Sequence, residues 1–243
     1  MKKLVFALLL LPLLSWGQFN QLIKNATKQV LPVKTAGTTG GVDVAAGLKE
    51  ALQNGISKQV SLLTAEDGFL KNDLVKIPVP DEMQKVSNTL NNLGMSNLTN
   101  EGIKTMNRAA EMAVKEATPV FVEAIKNMSF SDAKAILMGN KTEATTYLQK
   151  ATTTSLYAKF KPVVQQAIGK AGADKVWSTI ITKYNSVPMV AKVNPDINEY
   201  VTQKALEGVF KMIAVEETKI RESSSSRTSD LLQKVFALQD KKY

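Results

Sequence analysis

The chain has 243 residues, with 31 lysines and arginines against 22 aspartates and glutamates, and it contains no histidine and no cysteine. These counts exclude zinc sites built on cysteine or histidine, serine-histidine-aspartate triads, thiol nucleophiles and disulfide bonds. The glycine-rich patterns G-x-x-x-x-G-K-[ST] and G-x-G-x-x-G are also absent from the sequence, so no local motif indicates nucleotide binding.

Residues 1–17 have the three-part pattern of a secretory signal peptide. Two lysines precede an apolar run over residues 4–14, and the small residues Ser15 and Gly17 stand before a cut at Gln18. The apolar run is shorter than the about 20 residues that cross a bilayer as a helix. Without cysteine the chain has no site for a lipoprotein anchor. We therefore expect an exported, soluble protein of the periplasm or the extracellular space, not an integral membrane protein after cleavage.

Removal of 17 residues, two of them lysine, leaves 226 residues with 29 basic and 22 acidic side chains, a net charge of +7. The excess is spread along the chain without a block of five like charges. This distribution is typical of a solvated surface and not of a nucleic-acid interface. If the charge has a partner, an anionic envelope polymer or lipid headgroups are favoured.

Residues 18–41 read as a flexible leader, because a weakly amphipathic piece is followed by the turn-rich stretch VKTAGTTGG. Apolar residues then recur at helical spacing, which predicts one all-helical domain over residues 42–243. Its first helix has Asp43 as the N-cap. The apolar stripe of that helix consists of Leu48, Leu52, Ile56, Val60 and Leu63. The segment KIPVP at 76–80 is extended, since residues before proline avoid the helical region.

Further helices follow in chain order. Pro119 should kink or divide one of them, Ser131 and Asp230 are expected as N-caps, and Asp196 is expected to start a helix. The predicted ranges are 81–93, 100–128, 131–139, 141–159, 162–171, 174–184 and 196–221, with a last helix from residue 230. Alternation at a period of two is nearly absent. The predicted fold class is all-α, a single compact domain of about eight to nine helices with short extended connections.

Several stretches, in this order and spacing, resemble the bacterial family catalogued as domain of unknown function 4197. They are GLKEALQNGI, EDGFLKNDLVKIPVP, MNRAAEMA, FVEAIKNMSFSDAKAILMGNKTEATTYL and EETKIRESSSSRTSDLLQKVF, spread over residues 47–236. The resemblance implies a helical, exported bacterial protein without an established activity, and it supplies no catalytic residue.

The chain uses 28 lysines but only three arginines, at positions 108, 221 and 227. A sequence with this preference is expected to place arginine where a planar, multi-donor group is required. Arg108 has Glu111 three residues later, and Arg221 has Glu217 four residues earlier, so each pair shares a helix face. Arg227 has no such local acid.

Arg227 is therefore expected to reach across space, to Glu216 or Glu111. Residues 219–236 then form a loop, with four serines at 223–226, that returns a short helix to the core. These arginines and acids form either a structural ion network, an anion- or carboxylate-binding pocket, or a catalytic group.

Three further acids, Glu123, Asp132 and Glu143, are weak candidates for an oxygen-ligand metal site. Asp132 is also explained by its place in the first turn of a helix, where the helix dipole favours a carboxylate. No cofactor is indicated.

The function expected from the sequence is a non-enzymatic binding or structural protein of the bacterial cell envelope. Its partner would be a lipid-like ligand in an apolar cavity or an anionic envelope component on a basic surface. The alternative is a carboxylate-dependent enzyme, with or without a metal. Nucleic acid is not an expected partner.

Overall fold

A computed structural model describes residues 43–92, 96–186 and 196–240, together with 188, 189, 192 and 194. All of these residues belong to one compact unit. The predictions of a signal peptide over residues 1–17 and of a leader over residues 18–41 lie outside the described residues.

The described residues fold into helices and contain no strand, which confirms the all-α class. The α-helices are α1 (Val44–Thr64), α2 (Gln84–Asn92), α3 (Ser96–Val114), α4 (Ala117–Lys126), α5 (Phe130–Leu137), α6 (Glu143–Lys170), α7 (Ala173–Asn185), α8 (Ile197–Glu222) and α9 (Asp230–Asp240). Short 3₁₀ turns lie at Asp81–Met83 and Ser224–Ser226. The segment 76–80 has no regular structure, as its prolines predict.

The two longest helices, α6 and α8, lie against each other, and α3 packs on both. Helix α1 packs on α3, α4, α5, α8 and α9, which closes the bundle on another side. Phe121 of α4 meets Phe210 of α8 edge to face, with ring centroids 5.9 Å apart. Small residues on α3, among them Ala109, Ala110 and Ala113, are fully buried and let neighbouring helices approach closely.

The two prolines have opposite effects on the predicted helices. The pattern predicted over 100–128 is divided, because α3 ends at Val114 and α4 begins at Ala117. Pro119 then lies in the first turn of α4, where its missing N–H would have no partner within the helix. The predicted break before Pro162 is wrong, since α6 runs through it. Apolar residues of α6 are buried on both sides of the proline, so packing outweighs the lost hydrogen bond.

Side-chain caps fix the ends of several helices. The carboxylate of Asp43 accepts from the backbone N–H of Ala46 at 3.0 Å, as predicted, and Asp196, predicted at the start of its helix, caps α8 in the same way. The predicted cap at Ser131 is wrong. Ser129 caps α5 instead, in a reciprocal capping box with Asp132, because α5 begins one residue earlier than Ser131.

Candidate functional site

The first group of predicted site residues joins the loop after α1 to α3. The Nη1 of Arg108 donates to Glu111 at 2.6 Å, and its Nη2 donates to Asp67 at 2.6 Å and to Glu66 at 3.1 Å. Glu111 is buried and also accepts from the backbone N–H of Phe69 at 3.1 Å. The hydrogen bond to Glu111 raises the pKa of Arg108. The predicted pair of Arg108 and Glu111 thus holds the loop in place.

Glu216 belongs to a second group, between α1 and α8. It accepts from the Nζ of Lys58 at 2.6 Å and from the Nε2 of Gln59 at 2.9 Å. Gln59 and Glu216 are both buried. The two helices are therefore linked by a buried carboxylate that has a cation and an amide as donors.

A third group lies between the end of α5 and the start of α6, and Glu217 of α8 is at its centre. Its carboxylate accepts from the backbone N–H of Ala144 at 2.9 Å and of Thr145 at 2.8 Å. These N–H groups lie in the first turn of α6 and have no partner within that helix. A carboxylate at this position also interacts favourably with the helix dipole.

Arg221, which pairs with this carboxylate, also binds the end of α5. Arg221 donates from its Nε to Glu217 at 2.9 Å, from Nη1 to the carbonyl of Leu137 at 3.0 Å, and from Nη2 to that of Ile136 at 2.8 Å. Both carbonyls are in the last turn of α5. The pair predicted from spacing alone therefore completes the C-terminus of one helix and the N-terminus of the next.

Arg227 has different partners from those predicted. Its guanidinium donates to both carboxylate oxygens of Asp240, at 2.6 and 2.9 Å, and not to Glu216 or Glu111. It also donates to the carbonyls of Ile220 and Arg221 at 3.0 Å each, in the last turn of α8. The chain reverses at Ser224–Ser226, so α9 runs back past Arg227 and places Asp240 beside the guanidinium.

Helix α9 is closely packed against α1. Leu232, Val235 and Phe236 are buried, and the guanidinium groups of Arg221 and Arg227 lie 5.9 and 5.6 Å from the ring centre of Phe236. The predicted cap at Asp230 is wrong, because the hydroxyl of the preceding residue, Ser229, accepts from the first turn.

The predicted residues therefore form separate hydrogen-bonded groups, although Glu216, Glu217 and Arg221 also line one small gap of about 20 Å³. Arg221 is 4% exposed and Arg227 is 5% exposed. Their donors are directed at carboxylates and backbone carbonyls of the chain itself. This arrangement favours the structural interpretation of the network over an anion-binding pocket.

The weak metal candidates are not brought together. Glu123 accepts from Asn127 at 2.9 Å, Glu143 accepts from Asn140 at 2.5 Å, and Asp132 is part of the capping box. Hydrogen bonds from Ser129 lower the pKa of Asp132. Within the described residues, no three acidic side chains lie close enough to hold a metal ion.

A further cluster of titratable groups, between α6 and α8, was missed by sequence reasoning. Lys161 donates to the hydroxyl of Tyr157 at 2.9 Å and to Glu199 at 3.2 Å, and Tyr157 also donates to Glu199. Gln203 donates to the second oxygen of Glu199 at 2.7 Å. The hydrogen bonds that Lys161 donates to Tyr157 and then to Glu199 raise its pKa to about 12. The spacing of four between Tyr157 and Lys161 was the available signal.

A small gap lies between α1, α6, α8 and α9, beside Ile56, Ile213 and Phe236. Its volume of about 20 Å³ has room for one water molecule and not for an acyl chain. A shallow open groove of about 620 Å³ lies at the starts of α7 and α8, where polar residues such as Asp174, Ser178 and Asn198 line it. Neither has the form of an apolar ligand cavity.

Comparison with known proteins gives the family. Residues 38–237 match the family described as Protein of unknown function (DUF4197). The chain belongs to this family. Neither a curated protein nor a solved structure matches the chain. The resemblance found in the sequence is confirmed, and all three arginines of this DUF4197 protein lie within the matched residues.

The basic surface of this DUF4197 protein is formed by lysine. Many of the described lysines are exposed and form no ion pair with a described residue. They include Lys115, Lys126, Lys134, Lys150, Lys159, Lys170, Lys211 and Lys234. In the part of the chain that the structure describes, no helix is both long and apolar enough to cross a membrane.

Proposed function

We propose that this DUF4197 protein is a non-enzymatic binding protein of the bacterial cell envelope, exported by its first 17 residues, with residues 42–243 as the binding domain. Its partner is an anionic component of the envelope, held by the lysines of the surface. The observation that carries the proposal is the difference between the two kinds of cation. Arg221 and Arg227 are buried and Arg108 is half-buried, all with acidic partners, whereas many lysines are exposed and form no ion pair with a described residue.

Exposed lysines suit this role because they attract an anionic partner over about 10 Å at moderate salt and do not need a preformed pocket. Arg221 and Arg227 are poor candidates for the same task, since their donors already have carboxylate and carbonyl partners. We therefore assign the arginine network to stability and the lysines to binding.

The apolar-ligand alternative receives less support. The gap beside Phe236 has a volume of about 20 Å³, and a lipid would have to displace closely packed side chains of α1, α8 and α9 to enter. The enzyme alternative is not strengthened either, because Glu123, Asp132 and Glu143 each have a separate local hydrogen-bond partner.

A pull-down tests the proposal. The chain from residue 18 onward is immobilised and incubated with solubilised bacterial envelope material at low and at high salt, with a neutral glucan as the control polymer. We expect retention of anionic material that is lost at high salt. Retention of nothing anionic, or retention that does not depend on salt, would refute the proposal.

Export is tested separately by fractionation of cells that produce the full chain or a chain without residues 1–17. We expect only the full chain in the periplasmic or extracellular fraction, shortened at its N-terminus. An equal distribution of both chains would refute the export part.

A further inference from the structure

The open groove at the starts of α7 and α8 is lined by polar side chains from both helices. Its volume of about 620 Å³ lies within the range of roughly 300–1,000 Å³ that small-molecule sites have. On α7, residue 174 with 178 and residue 175 with 179 are four positions apart and so lie on one side of the helix. Helix α8 contributes its N-cap and its first turn. The polar lining residues that the structure describes are Asp174, Lys175, Ser178, Thr179, Asp196 and Asn198.

Two acceptors of this lining have no partner. The Oδ1 atoms of Asp174 and Asn198 are shielded from solvent, and no described group donates a hydrogen bond to either of them. A shielded oxygen without a donor costs free energy, because it has lost its hydrogen bonds to water and gained none from the protein. Such atoms are few in folded proteins, so two of them beside one groove indicate that a donor comes from elsewhere.

The other polar groups of the groove are engaged by the helices or face solvent. The carboxylate of Asp196 accepts from the backbone N–H groups of the first turn of α8, and the hydroxyl of Thr179 donates to the carbonyl of Lys175 at 2.9 Å. Lys175 and Ser178 are exposed. The groove therefore offers a ligand acceptors from one pair of side chains and donors from another.

Three classes of ligand fit this groove poorly. An anion would meet the carboxylates of Asp174 and Asp196. A cation would meet the ammonium of Lys175 and the positive ends of two helix dipoles, and no three acids of the described residues lie close enough for a metal ion. An apolar ligand would gain little, because Ile197, the one apolar residue of the described lining, is 5% exposed.

An uncharged ligand rich in hydroxyl groups meets all of these conditions. Each hydroxyl both donates and accepts, so neighbouring hydroxyls of a sugar ring donate to a carboxylate or amide oxygen and accept from an ammonium or a serine. The terminal torsions of aspartate and asparagine are broad, so Asp174 and Asn198 can turn their unpaired oxygens toward such donors. The free energy that these oxygens lose while they are unpaired is regained when the sugar binds.

We propose that the groove between α7 and α8 binds a neutral sugar, as a monosaccharide or as one unit of a glycan. Asp174 and Asn198 accept hydrogen bonds from the sugar hydroxyls, and Lys175 and Ser178 donate to them. This site goes beyond the proposed function, because its ligand carries no charge and is not held by charge attraction.

The test begins with an array of neutral oligosaccharides built from hexoses and N-acetylhexosamines. The chain from residue 18 onward is applied at about 1 M salt, where charges are screened beyond about 3 Å. We expect at least one sugar of the array to be bound, and its Kd to change by less than about twofold between low and high salt. The sugar bound most tightly then serves as the probe for variants.

The first variant removes both unpaired acceptors, as Asp174→Ala with Asn198→Ala. The matched control, Asp230→Ala with Asn54→Ala, removes an acid from the first turn of α9 and an exposed amide from α1. Two hydrogen bonds together contribute a factor of roughly ten to thirty, so the groove variant should bind the sugar at least about tenfold more weakly. The control should bind within about twofold of the unchanged protein.

Unfolding in urea separates binding from stability. Because no described group donates to either oxygen, the groove variant should have a midpoint no lower than that of the control. A second variant, Lys175→Ala with Ser178→Ala, changes two exposed donors and should also weaken sugar binding about tenfold. It tests the groove even if the first variant is unstable.

Three results would overturn the proposal. They are the absence of any bound neutral sugar, equal losses of affinity in the groove and control variants, and binding that disappears at high salt. A sugar in the groove is retained at both salt levels, whereas the anionic partner of the proposed function is lost at high salt. Failure of either proposal can therefore be told from failure of the other.

Discussion

Replacement of Arg227 by alanine should lower the stability of the whole domain. Its guanidinium is 5% exposed and donates to the carbonyls of Ile220 and Arg221 at 3.0 Å each. Each hydrogen bond from a charged donor contributes about 1.5 kcal/mol, so their loss costs about 3 kcal/mol. The ion pair with Asp240 adds less than about 1 kcal/mol, because the side chain of Asp240 is 50% exposed.

For a domain of this size, a loss of 3 kcal/mol lowers the melting temperature by roughly 6–12 °C. Thermal unfolding followed by circular dichroism measures the shift. Arg227→Lys should lose about half as much, since lysine keeps the charge but cannot serve two carbonyls and a carboxylate together. Asp240→Asn removes only the exposed pair, so it should shift melting by less than about 4 °C, and by still less at high salt.

Two results would refute this reasoning about Arg227. If Asp240→Asn destabilises the domain as much as Arg227→Ala, the guanidinium acts mainly through its ion pair with Asp240 and not through the carbonyls at the end of α8. If Arg227→Ala melts within about 2 °C of the unchanged protein, water replaces the arginine at the carbonyls without cost.

Three other changes give predictions for urea unfolding. Glu217→Gln places an amide donor against N–H groups of α6 and should cost about 2–4 kcal/mol, whereas Glu123→Gln on the surface should cost less than about 0.5 kcal/mol. Gly47→Ala puts a methyl 2.3 Å from a side-chain carbon of α9 and should cost about 1–3 kcal/mol, whereas Gly102→Ala meets nothing within 4 Å and should stabilise α3 by about 0.5–1 kcal/mol. Lys161 has its pKa raised from 10.5 to about 12, so its contribution is complete below 10.5 and is lost as pH rises through 12. Lys161→Met should therefore unfold with less dependence on pH over that interval. Equal effects of the two glutamine variants, equal effects of the two alanine variants, or an unchanged alkaline dependence would contradict these expectations.

Acid should weaken the contact between α8 and α9. The hydrogen bond from Arg227 holds the pKa of Asp240 below its usual range. A carboxyl with a lowered pKa in the folded state contributes stability above its unfolded pKa of about 3.9 and loses it as pH falls through the folded value. Asp240→Asn should accordingly lose less stability than the unchanged protein below about pH 4, as urea midpoints would measure.

The sequence was sufficient for features that depend on neighbours along the helix. The apolar stripe of α1 is buried where spacing predicted, and the pairs of Arg108 with Glu111 and Arg221 with Glu217 follow from offsets of three and four residues. Periodicity is a local property, so it survives whatever tertiary arrangement the helices adopt.

Contacts between distant segments could not be predicted in this way. Glu217 meets the first turn of α6 across 73 residues, and Arg227 meets Asp240 only because the turn at Ser224–Ser226 brings α9 back. The continuity of α6 through Pro162 is a similar case, because it depends on what the two halves of the helix pack against. Local rules for proline assume an exposed helix, where a lost hydrogen bond has no compensation.

The different roles of arginine and lysine connect the fold to the proposed function: arginine stabilises contacts between helices, and lysine supplies the surface charge. Arg108 joins α3 to two acids of the loop after α1, Arg221 joins α5, α8 and α9, and Arg227 joins the end of α8 to α9. Each position requires donors in several directions from one side chain, which the single ammonium of lysine cannot supply with the same geometry. With arginine confined to these positions, the net positive charge of the surface comes from lysine. Substitutions of these surface lysines can change ligand binding without disturbing the core. We therefore expect replacements of exposed surface lysines to alter binding and to leave the melting temperature unchanged.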